Sequence, residues 1–75
     1  MPAGKDRLDR LHKALRRHRL DAYLCLRLSS IRYLTGFTGS DAALLVSPGG
    51  AFLLTDGRYD LQAREEVRGA EVVVT

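Results

Sequence analysis

Ala42-Ala43-Leu44-Leu45-Val46, Ser47-Pro48-Gly49-Gly50, Ala51-Phe52-Leu53-Leu54: two apolar runs flank a short segment rich in turn residues. Proline fixes one backbone dihedral and glycine permits positive φ, so the middle segment reads as a tight turn. The runs on either side are of strand length, and the whole reads as an antiparallel β-hairpin. Everything else in the chain is placed relative to it.

Downstream, Thr55 or Asp56 is expected to cap a helix running roughly from Gly57 to Val67, with Tyr59, Ala63 and Val67 on one face. Gly69 is a plausible stop, and Val72-Val73-Val74 opens a further strand. Upstream, Gly36-Phe37-Thr38-Gly39-Ser40-Asp41 combines two glycines with small polar residues and reads as a loop. Ser29 or Ser30 is expected to cap a short helical turn through Ile31, Tyr33 and Leu34. Asp21 to Leu26 is an almost uninterrupted apolar run, the pattern of a strand covered on both faces. Lys5 to Arg19 reads as an amphipathic helix with Leu8, Leu11, Leu15 and His18 at helical spacing. Asp6 and Asp9 lie near its N-terminus and Arg16, Arg17 and Arg19 near its C-terminus, as the helix dipole favours. The resulting order is helix, strand, short helix, hairpin, helix, strand. That order implies an α/β architecture, a mixed β-sheet with flanking helices. Because the final strand ends at Thr75 with no further cover, the sheet is expected to be incomplete and the chain a truncated domain; the alternative is that this strand simply closes the sheet edge.

Composition narrows the class. The chain has 75 residues, 45% hydrophobic and 28% charged, values of a folded soluble protein rather than a disordered one. No apolar run approaches the roughly 20 residues of a membrane span. The N-terminus runs straight into charged residues without an apolar signal segment, so a cytoplasmic location is the expectation. Cys25 is the only cysteine and sits in an apolar run, where a thiol behaves as a small buried hydrophobe. The positive charge belongs to the first helix, which carries seven basic residues against Asp6 and Asp9, while the rest of the chain, with five basic and seven acidic residues, brings the net to +3. That helix has no aromatic residue for base stacking, so a solvated face is preferred to nucleic-acid contact.

Self-contained chemistry is hard to find. His12 and His18 are six apart and fall on different faces of a helix, and no H-E-x-x-H or C-x-x-C is present. Asp56 and Asp60 are better explained by the helix dipole and by an ion pair from Asp60 to Arg64 one turn on. Ser40 lies in Gly-Phe-Thr-Gly-Ser, which matches neither a nucleophile elbow nor a phosphate loop. These residues assign no catalytic role and no metal ligand within the chain.

Two longer motifs carry more. Ile31-Arg32-Tyr33-Leu34-Thr35-Gly36-Phe37-Thr38-Gly39-Ser40 is followed, after the hairpin, by Leu54-Thr55-Asp56-Gly57-Arg58-Tyr59. Together with Arg7-Leu8 and Leu20-Asp21-Ala22, they resemble the N-terminal domain of the creatinase and Xaa-Pro aminopeptidase/dipeptidase group. The resemblance runs from about Asp6 to Val74. Arg27-Leu28-Ser29-Ser30 departs from it, standing where many relatives carry an Asn-containing approach. It implies that residues 1–75 are the first part of a creatinase-type, ribonuclease H-like N-terminal domain, with the C-terminal metallopeptidase domain absent. It further implies that the parent is a metalloprotease, a hydrolase cleaving the bond between an N-terminal residue and a following proline. Two divalent metal ions, commonly manganese, would be held by two Asp, one His and two Glu of that other domain, and no cofactor by this chain. The implied partners are a peptide with proline at its second position and a second subunit in a homodimer, with no nucleic acid and no membrane.

In such proteins the N-terminal domain serves subunit association and leans a loop over a neighbouring active site. The resemblance therefore makes Phe37, Thr38, Ser40 and Asp41 candidates for substrate access or subunit contact. Phe37 would bound a pocket, and the polar residues would meet a peptide's ammonium end. The alternative is that Phe37 packs on the core and the glycines only allow the turn. Arg58 and Tyr59 are candidates too, against a structural account in which Asp56 caps the helix and Tyr59 fills the core. The resemblance fits an aminopeptidase and a dipeptidase parent alike. The rival function is a non-catalytic protein-binding module of the same domain family.

Overall fold

The structure is a computed structural model and describes residues 3–19 and 21–75, with side chains from residue 7 onward. Met1, Pro2 and Leu20 lie outside the described residues, as do the side chains of Lys5 and Asp6 invoked for the first helix. The elements follow the expected order: α1 Ala3–Arg17, β1 Tyr23–Cys25, α2 Leu28–Thr35, β2 Ala43–Ser47, β3 Gly50–Thr55, a 3-10 turn Gly57–Tyr59, α3 Asp60–Glu66 and β4 Glu71–Val74.

The hairpin is the centre of a four-stranded sheet with strand order β1-β2-β3-β4. Ala43 pairs with Leu54 and Ser47 with Gly50, so only Pro48 and Gly49 lie between the paired ends. β1 adds antiparallel to β2, with Cys25 opposite Leu44. β4 lies parallel to β3, with Val72 opposite Leu53, reached through α3 as a parallel connection requires. The sheet is therefore mixed.

Side chains alternate across a strand, and one sheet face carries the core. Cys25, Leu44, Val46, Ala51 and Leu53 cluster with Leu8 and Leu15 of α1, Ile31 of α2, Phe37, and Ala63 of α3 with Val67 just beyond it. All three helices thus pack on the same face. The opposite face carries Leu24, Leu45, Phe52, Leu54 and Val73, by the strand pairing, and no described helix lies over it. Leu24 is 59% exposed and Leu26 68%.

Four local expectations are corrected. β1 is not covered on both faces: Tyr23 and Leu24 are exposed and only Cys25 is buried, because the described helices shield one side of the sheet. α1 stops at Arg17, with Arg19 at φ 56°, so His18 lies beyond the helix and is exposed rather than on its apolar face. α2 begins at Leu28 with Arg27 as its extended cap residue and no side-chain cap bond. Ser29 and Ser30 consequently fall inside its first turn. The helix expected over 57–67 opens as a 3-10 turn; its α-helical part, α3, ends at Glu66, within a residue of the expected end, with Val67 and not Gly69 as its cap residue. Gly69, at φ 84°, turns the chain into β4 instead.

Candidate functional site

The six candidate residues come together at the end of the hairpin where β2 begins and β3 finishes. Gly36 closes α2 in the left-handed conformation at φ 87°, its N–H donating to the Arg32 carbonyl. That geometry favours glycine at the end of a helix. Thr35, fully buried, donates its hydroxyl to the Ile31 carbonyl and accepts from the Phe37 N–H. The loop is thus anchored at its first residue, and its direction is set before it reaches the surface.

Phe37 enters the core. It is 1% exposed and meets Tyr59 edge to face, with centroids 5.8 Å apart and the planes at 89°. It also forms part of a cleft of about 360 Å³ with Leu28, Ser29, Arg32, Thr38, Gly39 and Ser40. Gly39 lies directly against the Phe37 ring, where a Cβ would overlap ring atoms. The glycine is therefore required by packing, since no room exists for a side chain.

Thr38 is tied to α3. Its N–H donates to Glu66 Oε1 at 2.8 Å, its hydroxyl donates to Glu66 Oε2 at 2.8 Å, and Gln62 Nε2 donates to the Thr38 hydroxyl at 3.0 Å. The Thr38 N–H holds the Glu66 carboxyl below its ordinary pKa, with smaller help from the Thr38 hydroxyl and Gln62 and against the effect of partial burial. Ser40 Oγ and the Tyr59 hydroxyl hydrogen-bond to one another. Asp41 is fixed through its backbone: the Thr55 hydroxyl donates to its carbonyl at 2.6 Å.

Arg58 completes the rim. The Asp56 carboxylate accepts the Arg58 backbone N–H at 2.9 Å, which caps the 3-10 turn, and also accepts Nε and Nη2 of the same side chain. Asp56, not Thr55, is the cap. The Arg58 hydrogen bond holds the Asp56 carboxyl below its ordinary value, and Asp56 in turn raises Arg58. Arg58 Nη2 also reaches Asp41 Oδ2 at 3.4 Å, with both side chains about two-thirds exposed. The guanidinium sits 5.2 Å from the Tyr59 ring centre. Two carboxylates face one guanidinium, so the rim retains one unit of negative charge.

Glu66 and Gln62 were not singled out as partners of the loop by sequence reasoning. Their i,i+4 spacing places both on one face of α3, yet nothing local ties them to Thr38, 28 residues before Glu66. Asp60 does pair with Arg64 at 2.6 Å, as their spacing suggests. Among the described residues no group of three or more His, Cys, Asp or Glu converges as metal ligands would. Among the described residues no helix is long and apolar enough to cross a membrane.

Comparison with known proteins agrees with this geometry. The chain is 41% identical to the Creatinase/Prolidase-like N-terminal domain of a Corynebacterium diphtheriae protein (TM-score 0.87), covering 96% of this chain and 59% of that one. It is 34% identical to a Streptococcus thermophilus Xaa-Pro aminopeptidase structure (TM-score 0.90), covering 97% of this chain and 57% of that one. Over 67 residues it is 34% identical to the uncharacterized peptidase YqhT of Bacillus subtilis, covering 89% of this chain and 19% of that protein. The chain thus spans about a fifth of that full-length relative. Residues 7–75 match the family model described as the Creatinase/Prolidase N-terminal domain, and the chain belongs to that family.

Proposed function

We propose that this chain is the N-terminal segment of a proline-specific metallopeptidase, and that it serves subunit association and substrate access rather than chemistry. The observation that carries the reading is the family match over residues 7–75, supported by likeness to Xaa-Pro aminopeptidases and dipeptidases. The parent would hydrolyse the bond between an N-terminal residue and a following proline, as a homodimer in the cytoplasm. Its two divalent ions, manganese by the family resemblance, would be bound by residues outside this chain. The described residues offer no such set, and no step is assigned to them.

The rim fits an access role on physical grounds. A loop anchored on a rigid sheet edge is where binding groups belong. The one surplus negative charge among Asp41, Asp56 and Arg58 suits a peptide's ammonium end. Phe37, packed on the core yet bordering a cleft, gives that loop a stiff base.

The test is an assay of the complete gene product with Mn²⁺ on a peptide carrying proline in second place, beside the same peptide carrying alanine there. Release of the first residue from the proline peptide alone supports the reading. Absence of hydrolysis, with the reading frame past Thr75 lacking two Asp, one His and two Glu, turns it to the non-catalytic binding module.

A further inference from the structure

A second cleft lies at the other end of the hairpin. Its volume is about 300 Å³, and its walls are Asp9, His12, Lys13 and Arg16 of α1 facing Pro48, Gly49 and Gly50 of the β2–β3 turn. The rim described above sits where β3 finishes, about five residues further along. At 3.3 Å per residue that is roughly 16 Å away. The two sites are separate.

Three features of this cleft bear on what it could hold. Asp9, His12, Lys13 and Arg16 follow one another at i, i+3, i+4 and i+7, which lines them up along a single helix face. Among the described residues neither Lys13 nor Arg16 has a carboxylate within ion-pair distance. His12 Nε2 is buried with no hydrogen-bond partner. A buried nitrogen without a partner is uncommon; this one is covered by protein, so a ligand in the open cleft would meet it only after the ring turns. The opposite wall is the backbone of the Pro48-Gly49-Gly50 turn.

We propose that the cleft between α1 and the β2–β3 turn binds a phosphate-type oxyanion. Lys13 and Arg16 neutralise its charge, Arg16 through its planar fork of donors. His12, half-buried, supplies a further donor once its ring turns to present a nitrogen to the ligand. The turn closes the third side. Asp9 is the one group that opposes an anion here, so it limits the affinity and gives the proposal a signed test.

The experiment uses the complete gene product labelled with ¹⁵N-glycine and titrated with inorganic phosphate. The Gly49 and Gly50 amide resonances report this cleft directly, whatever phosphate does at a metal centre elsewhere. Saturable shifts of these two amides are expected. The double substitution Lys13→Gln/Arg16→Gln is expected to weaken the apparent affinity at least fivefold, and Asp9→Asn to tighten it severalfold. All three residues are solvent-facing helix positions, and an unchanged unfolding temperature checks that the variants fold. The proposal is overturned if Gly49 and Gly50 do not shift by about 20 mM phosphate. It is overturned equally if wild type and the double variant titrate alike, or if Asp9→Asn weakens binding.

Discussion

Gly39 has no room for a side chain, because the Phe37 ring occupies the place of its Cβ. The ring is buried, so a Cβ at Gly39 must displace it from its packing, and Gly39→Ala is expected to destabilise the protein by about 1–3 kcal/mol, read by denaturant unfolding. A loss under a few tenths would show that the loop slides freely over Phe37. Gly36 is constrained differently. Its φ of 87° disfavours any L side chain, and an added Cβ would stand 3.1 Å from the Glu66 carbonyl. Glu66 provides a pH-dependent tie. Its carboxyl is depressed in the folded state, mainly by the Thr38 N–H. The stabilisation is therefore full above the ordinary glutamate pKa, about 4.3, and is lost as pH falls through the lower folded value. Hydrogen exchange at the Thr38 amide, corrected for its intrinsic rate, should accelerate on acidification in the wild type. In Glu66→Gln, whose amide oxygen still accepts that N–H but does not titrate, it should be nearly flat over the same range. Of these residue-level facts, the loop's existence was legible from its two glycines. The clasp to Glu66 was not, because side-chain partners 28 residues apart leave no local pattern.

Helix starts were the least legible feature at the level of elements. Ser29 and Ser30 have the right chemistry for a cap, but α2 begins at Leu28 and takes them into its first turn. Thr55 and Asp56 were equally good cap candidates by type. The structure divides the work between them, Asp56 capping the 3-10 turn and the Thr55 hydroxyl holding the Asp41 carbonyl. Asp56→Ala should lower the unfolding temperature, and Asp56→Asn should recover much of the loss because asparagine also caps. Equal losses in both variants would assign the effect to the Arg58 ion pair instead. The hairpin, by contrast, was legible as an antiparallel pair, though its strands run one residue further into the expected turn, with Ser47 paired to Gly50. Two apolar runs around Pro48-Gly49 leave only one compact pairing, and Ala43 to Ser47 adopts it.

For the molecule as a whole, the sequence marked which runs are strands but not how the helices divide between the sheet's faces. An apolar run such as Tyr23 to Leu26 looks the same whether one face or both are covered. The structure places all three helices on one face and leaves Leu24, Leu45, Phe52, Leu54 and Val73 on the other. A contiguous apolar face of that kind promotes association. The isolated 75-residue chain is therefore expected to bind a hydrophobic dye and to self-associate with concentration in sedimentation experiments. Leu24→Lys with Phe52→Lys should reduce both. A dye-silent monomer at high concentration would contradict this description of the face.

If the rim governs substrate access without taking part in the chemistry, as proposed, its charge should act on binding alone. Steady-state kinetics of the complete gene product on an Xaa-Pro peptide test it most directly, wild type against Asp41→Asn. Removing one exposed negative charge near the peptide's ammonium end should raise KM roughly 3- to 10-fold and leave kcat nearly unchanged, the pattern of lost uniform binding. Unchanged KM in a variant that folds normally, or a fall in kcat alone, would contradict the claim.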